Sequence, residues 1–116
     1  VDGYPAELSQ VLLNLLSNAA DAVEHQEGRG EIIISTEMLE DHVALNISDT
    51  GTGIDPIIGA QMFAPFFTTK EAGKGTGQGL TLSKNIIEKR HGGRIEWLNR
   101  PEGGVTFTVL LPALSV

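Results

Sequence analysis

Cysteine is absent from this 116-residue chain, and aromatic residues and cations are scarce. Without cysteine there is neither a disulfide nor a Cys-ligated metal. The 8 Lys and Arg residues against 15 Asp and Glu residues give a formal charge of −7, which argues against a nucleic-acid surface because such surfaces need clustered cations. No apolar run approaches the ~20 residues of a membrane span, and no signal peptide opens the chain. Any phosphate must therefore be held by local groups: backbone N–H groups, one or two lysines or a metal ion.

The hydrophobic pattern predicts two main helices. Apolar residues at helical spacing indicate the first over residues 5–25, with Pro5 in its first turn. The second begins near Gly79 and ends at a group of cations followed by Gly92. A short helix is predicted over residues 57–62.

Runs of β-branched residues predict four strands, arranged as two adjacent pairs. The predicted strands cover residues 31–37, 42–49, 94–98 and 105–111. Paired strands beside two helices favour an α+β fold, a two-layer sandwich with a mostly antiparallel sheet and helices on one face. With neither repeats nor a linker, we expect residues 1–116 to form one domain, and the abrupt start at Val1 suggests a piece of a longer protein.

The first predicted helix carries a narrow polar ridge. At about 100° per residue, Asn18 lies about 40° to one side of Asn14 and Asp21 about 20° to the other. Asparagine is a mediocre helix former, so two of them one turn apart indicate another role. One interpretation is a solvated face. The other is a set of amide oxygens that could bind Mg²⁺, an ion that takes most of its coordination shell from water and phosphates.

Asp49 ends a strand whose inward face it shares. The side chains of Leu45 and Ile47 face the core, and the alternation of the strand carries Asp49 inward with them. A buried carboxylate needs partners. Asp49 could cap the following glycine turn, or it could accept a hydrogen bond from a ligand amine. In the second case Gly51 and Gly53 would let a flat ligand approach the backbone closely.

Residues 73–80, GKGTGQGL, have glycine at every second position. No packed element favours that spacing, since each interior glycine costs roughly 0.5–1 kcal/mol against alanine. The stretch is neither a P-loop nor a Rossmann fingerprint. Gly77 and Gly79 instead open a helix at Leu80, whose first turn has unpaired N–H groups, and Lys70 lies in the same loop. The pattern indicates either a flexible connector or a loop that holds phosphate.

Four segments together resemble the ATP-binding catalytic domain of bacterial sensor histidine kinases, in the superfamily shared with DNA gyrase B, Hsp90 and MutL. NLLSNAADA resembles the N box, DTGTGI the G1 box, MFAPFFTTK the F box and GTGQGL the G2 box. All four occur in the family's order. The resemblance implies the Bergerat fold and the ligands ATP and Mg²⁺. The compact lid, residues 68–78, and the segment PFFTTK are similar to those of the nitrogen-regulation branch of these kinases.

The resemblance also implies a role for each matching residue. Asn14 and Asn18 would be catalytic and would reach Mg²⁺ and the phosphates. Asp49 would accept from the adenine amino group, which predicts ATP over GTP because guanine places an oxygen there. The other implied nucleotide-binding residues are Asp21, Gly51, Gly53, Ile54, Phe66, Phe67, Thr69, Lys70, Gly75, Thr76, Gly77, Gly79 and Leu80.

Three positions depart from the family pattern. Tyr4 stands where an Asp is frequent, and Gln78 stands where a Leu usually precedes the last glycine. Val105 stands where a Thr or Ser often places a hydroxyl near the adenine. None of these changes removes a group implied to bind metal or phosphate.

The three histidines, His25, His42 and His91, lie outside any H-[DE] motif, and we predict structural roles for them, with His91 a cation at the end of a helix. The resemblance therefore implies a phosphoacceptor histidine on a separate helical dimerisation domain of the parent kinase, with a response regulator as indirect partner. A cytoplasmic location without direct membrane contact is expected. Two alternatives stay open: a serine kinase of the anti-sigma type, and a non-catalytic nucleotide-sensing module. The short lid and the acidic composition disfavour a DNA-handling ATPase.

Overall fold

The computed structural model describes residues 3–24, 30–51, 53–55, 57 and 79–113. The elements are α1 (Pro5–Glu24), β1 (Ile32–Met38), β2 (His42–Asp49), α2 (Gly79–Asn85), a π-helical turn (Ile86–Arg90), β3 (Arg94–Asn99) and β4 (Val105–Pro112). The two main helices and four strands predicted above are confirmed, with ends shifted by single residues. The π-helical form of the last turn was not predicted. The short helix predicted over 57–62 lies outside the described residues apart from Ile57.

The four described strands form one antiparallel sheet in the order β1–β2–β4–β3. Its centre is the pairing of β2 with β4, in which Ile47 lies opposite Phe107 and Leu45 opposite Val109. This pairing joins two hairpins that are distant in sequence. The end of β2 is thereby placed beside the start of β4, and the site described below is built at that end of the sheet.

The helices pack against one face of the sheet, which confirms the two-layer arrangement. Leu15 of α1 and Ile87 of the π-helical turn are fully buried, in one cluster with Ile47 and Phe107. Burial of side chains this large stabilises the fold by roughly 1.5–3 kcal/mol each. The odd-numbered residues of β2 and β4 face these helices, and Asp49 belongs to the same series.

β1 is an edge strand whose residues are all exposed. Ile34 and Met38 lie opposite Ile47 and Val43 and so share the helix-facing side of the sheet, yet they are 52% and 70% exposed. The cause is the position of α1, which packs mainly over β2.

His91 joins the start of α1 to the end of the π-helical turn. The Tyr4 N–H donates to Nε2 of His91 at 3.0 Å, and Nδ1 lies 2.9 Å from the Ile86 carbonyl oxygen. The ring thus links the start of α1 to the last helical turn, with an N–H donor on one nitrogen and a carbonyl oxygen on the other. The predicted place of His91 at the helix end is confirmed, and its charge stays a prediction.

Glu7 and Arg90 connect the same two segments, and they predict a pH-dependent stability. Arg90 Nε donates to both carboxylate oxygens of Glu7, at 2.7 and 3.0 Å, and this bond lowers the pKa of Glu7. A carboxyl with a lowered folded-state pKa stabilises the fold above its unfolded pKa and loses that effect as the pH falls through the folded value. Glu7→Gln should therefore be less stable than wild type at neutral pH, and the two should converge in acid.

Urea denaturation across the acidic range measures this difference. Glu37→Gln, the same change of charge on exposed β1, is the control and should follow wild type. A gap between Glu7→Gln and wild type that stays constant with pH would contradict the assignment.

Candidate functional site

Asp49 is the buried acid of the site, at the end of β2. Its exposed fraction is 2%, which confirms the predicted inward orientation. Oδ1 accepts from the Gly51 N–H at 2.9 Å and from the Val105 N–H at 3.4 Å. Oδ2 accepts no hydrogen bond from the described residues. The carboxylate thus caps the glycine turn with one oxygen and leaves the other for a ligand donor, so the two interpretations of this residue are compatible.

The turn after Asp49 is held from the β1 side by paired contacts. The Thr50 N–H donates to the Glu31 carbonyl oxygen at 3.1 Å, and the Glu31 N–H donates to Oγ1 of Thr50 at 2.9 Å. These bonds extend the β1–β2 pairing by one residue, so the acid is anchored where it leaves the sheet.

The turn between β3 and β4 holds the same segment from the other side. Arg100 donates from Nη1 to the Asp49 carbonyl oxygen at 3.0 Å and from Nη2 to Glu102 at 2.8 Å. Gly104 has φ +87°, and a Cβ built on it would lie 1.9 Å from the same carbonyl oxygen. Sequence reasoning missed these residues, because NRPEGG, residues 99–104, only connects the predicted strands 94–98 and 105–111. The one available signal was the Gly-Gly pair directly before β4.

Gly51 and Gly53 let other parts of the same chain pack closely against their main chain. A Cβ on Gly51 would lie 2.7 Å from the Ala22 carbonyl oxygen of α1. Gly53 has φ +82°, and its Cβ would lie 2.9 Å from Oδ1 of Asn99. Packing thus accounts for both glycines without a ligand, and their part in binding one stays a prediction. Ile54 packs against the core cluster and bonds to Asn99.

The contact between Gly51 and Ala22 brings the acid-bearing turn against the C-terminal half of α1, which carries Asn18 and Asp21. Both side chains are half-buried and both take part in interactions within the protein. The polar ridge is therefore more than a solvated face, and its end lies beside the turn that follows Asp49.

Asn14, at the other end of the ridge, ties α1 to α2. Its Nδ2 lies 3.2 Å from Oγ of Ser83, a fully buried residue, and its Oδ1 accepts from Nε2 of Gln10 at 3.0 Å. A metal at Oδ1 of Asn14 would compete with Gln10. The buried Ser83 is a further contact that sequence reasoning missed.

α2 begins at Gly79 as predicted, and Leu80 packs partly buried against the core. The other residues predicted to bind nucleotide lie outside the described part of the chain: Phe66, Phe67, Thr69, Lys70, Gly75, Thr76 and Gly77. Their roles stay predictions.

Among the described residues, the ligand atoms available to a hard cation are the oxygens of amides and of single carboxylates. No group of three or more His, Cys, Asp or Glu residues in the described part of the chain could hold a metal. A Mg²⁺ ion fits such a sparse site, since it keeps several waters and takes the rest of its shell from phosphates. No helix within the described ranges is long and apolar enough to cross a membrane.

Comparison with known proteins gives a consistent result. Residues 3–115 match the family described as histidine kinase-, DNA gyrase B-, and HSP90-like ATPase. Sensor protein FixL of Bradyrhizobium diazoefficiens is 38% identical over 107 residues, which are 92% of this chain and 21% of that protein. The signal transduction histidine-protein kinase AtoS of Escherichia coli is 46% identical over 106 residues, which are 90% of this chain and 16% of that protein. The chain thus spans about a fifth or less of these relatives.

Among solved structures, the catalytic domain of histidine kinase ThkA in a nucleotide-free form superposes with a TM-score of 0.83. It is 37% identical in sequence, and the match covers 97% of this chain and 71% of that one.

Proposed function

Because this chain belongs to the histidine kinase-, DNA gyrase B- and HSP90-like ATPase family, as a histidine kinase catalytic domain, we propose that it binds Mg-ATP and supplies the γ-phosphate to a histidine on a separate helical dimerisation domain. The supporting observation is that the end of β2 lies close to α1. The buried carboxylate of Asp49, with one oxygen left for a ligand, ends β2, and the turn that follows it packs on the helix carrying Asn18 and Asp21.

Asp49 selects the base. Oδ1 is occupied by two backbone N–H groups, so Oδ2 accepts from the exocyclic amine of adenine. Guanine has an oxygen at that place, and two opposed acceptors with no proton between them cost ~1–3 kcal/mol in a buried site. ATP is therefore preferred over GTP.

Asn18, with Asn14, provides neutral oxygen ligands for Mg²⁺ beside the phosphates. The ion would neutralise charge on the transferring phosphoryl group. The chain's own part is to hold the triphosphate between α1 and the residues that lead into α2. Lys70, Thr69, Gly75 and Gly77 are proposed to line the phosphates on that side.

The phosphoacceptor belongs to another domain in this proposal. Of the described histidines, His42 pairs with Asp41 at the far end of the sheet, and His91 is engaged by Tyr4 and Ile86. Neither is placed as a nucleophile. A longer parent protein, cytoplasmic in this part, then passes the phosphate on to a response regulator.

Calorimetry of the wild-type chain with ATP, with and without Mg²⁺, tests nucleotide binding. Labelling with γ-phosphate-labelled ATP, in a longer chain that carries this segment and a helical domain, tests the transfer. An acid-labile, base-stable label on histidine is expected. A label on a serine of a partner would favour the anti-sigma-type kinase, and nucleotide binding without any label would favour the sensing module.

Asn18→Ala should remove most of the benefit of Mg²⁺. Loss of one oxygen ligand in a partly buried site corresponds to roughly a tenfold or greater loss of affinity, and the remaining affinity should be nearly independent of Mg²⁺. Titration with ATP at several Mg²⁺ concentrations measures it. Asn46→Ala, which removes an amide bonded to Thr108 on the face of the sheet away from α1, is the control. An unchanged Mg²⁺ dependence in Asn18→Ala would refute the metal assignment.

A further inference from the structure

Asn99, the last residue of β3, binds the main chain of Ile54 through both ends of its side chain. The Ile54 N–H donates to Oδ1 at 2.8 Å, and Nδ2 donates to the Ile54 carbonyl oxygen at 2.7 Å. Two residues in an antiparallel ladder exchange this same pair of bonds. The carboxamide therefore replaces a strand partner for a residue that belongs to no strand.

The same side chain lies directly against Gly53. A Cβ on Gly53 would come within 2.9 Å of Oδ1 of Asn99, and the residue has φ +82°. Arg100, the next residue, donates to the carbonyl oxygen of Asp49. The last residue of β3 and the first residue of the following turn thus bind the two ends of the segment from Asp49 to Ile54.

We infer that Asn99 is a positioning residue for recognition of the nucleotide base, an inference that rests on the proposed function. Asn99 acts through Gly53 and Ile54. It keeps their main chain at a set distance from Asp49, the acid that selects the purine. The base then meets a surface that needs no ordering when the ligand binds, and such preorganisation raises affinity. The triphosphate, held elsewhere, gains nothing from Asn99.

Only a group with one donor and one acceptor in this geometry can serve. An ionised aspartate at position 99 offers two acceptors and would oppose the Ile54 carbonyl oxygen, whereas a protonated one again offers one of each. Asn99→Asp therefore keeps the shape of the side chain, but it can make both hydrogen bonds to Ile54 only when the introduced carboxyl is protonated.

The test compares Asn99→Asp with wild type in calorimetric titrations with Mg-ATP and with Mg-tripolyphosphate, over a range of pH. At neutral pH the variant should bind ATP about tenfold more weakly and tripolyphosphate as well as wild type does. As the pH falls and the introduced carboxyl takes up a proton, the ratio of the two ATP affinities should return toward one. Asp49, Asp55, Arg100 and Glu102 are present in both proteins, so the ratio reports position 99.

Asn46→Asp is the matched control. Asn46 accepts from Oγ1 of Thr108 at 2.7 Å on the face of the sheet away from α1, and a carboxylate can still accept there. It makes the same change of charge and should bind both ligands like wild type at every pH. Asn99→Ala introduces no repulsion and should bind ATP several-fold more weakly than wild type, without recovery in acid. It replaces Asn99→Asp in the test if that variant does not fold at neutral pH.

The outcomes separate the inference from the function on which it rests. If wild type binds ATP and the Asn99 variants bind it equally well, or lose ATP and tripolyphosphate to the same degree, Asn99 does not position the base site. If wild type itself binds no ATP, the proposed function fails and this inference fails with it.

Discussion

Asp49→Asn is expected to weaken ATP binding by about a hundredfold and to move the preference toward GTP. In the wild type, Oδ1 of Asp49 accepts the Gly51 and Val105 N–H groups. An asparagine has a single acceptor oxygen, and these two donors fix it on their side. Nδ2 then takes the place of Oδ2 and presents a donor where a carboxylate oxygen stood.

A donor at that position faces the amine of adenine without an acceptor between them. Loss of a charged hydrogen bond, with a buried donor left unmatched, costs ~1–3 kcal/mol or more, which corresponds to a factor of about 5 to 150 or beyond. Guanine places an oxygen there and would accept from Nδ2. The same substitution that weakens ATP should therefore leave GTP binding unchanged or improved.

Parallel calorimetric titrations with Mg-ATP and Mg-GTP measure both affinities. Asp41→Asn is the control, because Asp41 is exposed in the β1–β2 hairpin at the opposite end of the sheet. It should leave the ratio of the two affinities unchanged. If Asp49→Asn binds ATP as tightly as wild type, Asp49 does not recognise adenine.

Gly104→Ala is expected to destabilise the fold by more than about 3 kcal/mol, which lowers the melting temperature by ~10 °C or more in a domain of this size. Two effects add. The residue has φ +87°, where a Cβ costs roughly 1–2 kcal/mol, and that Cβ would lie 1.9 Å from the Asp49 carbonyl oxygen. The main chain of β2 must move away, so ATP affinity should fall even at temperatures where the variant is folded.

Two other glycines separate the effects. Gly92 has φ +66° with nothing within 4 Å of its Cβ position, so Gly92→Ala carries only the backbone cost, about 1 kcal/mol. A Cβ on Gly93, whose φ is ordinary, would lie 2.0 Å from the Leu110 carbonyl oxygen, so Gly93→Ala carries only the clash and lies outside the site. Thermal unfolding ranks the stabilities, and titration at low temperature reports the site. If Gly104→Ala and Gly93→Ala bind ATP with the same affinity, the contact of Gly104 with Asp49 has no part in binding.

Sequence reasoning located α1, the strands and the inward orientation of Asp49 because each depends on a short-range period. The alternation along β2 is set by the pleat and the ridge on α1 by the helical turn, so neighbouring residues suffice to predict them. The resemblance to histidine kinases then connected Asp49, Asn14 and Asn18 to one ligand, and the described structure adds that Gly51 packs against Ala22 of the same helix.

The residues that sequence reasoning missed act across long separations. Asn99 and Ile54 are 45 positions apart, Arg100 and Asp49 are 51 apart, and Asn14 and Ser83 are 69 apart. Local periodicity marks Asp49 and Asn14, but it does not mark the distant partner of any of these residues, and NRPEGG looks like many surface turns. Only the register of β2 against β4 brings that turn over the end of β2.

The sequence by itself determined which elements form and which acid points inward, since both follow from the periodicity of neighbouring residues. The tertiary structure alone decided how that acid is used: Val105 N–H joins Gly51 N–H on one oxygen of Asp49 and leaves the other oxygen for a ligand. It also placed His91 between the Tyr4 N–H and the Ile86 carbonyl oxygen. Hydrogen-bond roles depend on which groups meet, and distant groups meet only when the sheet and helices have packed.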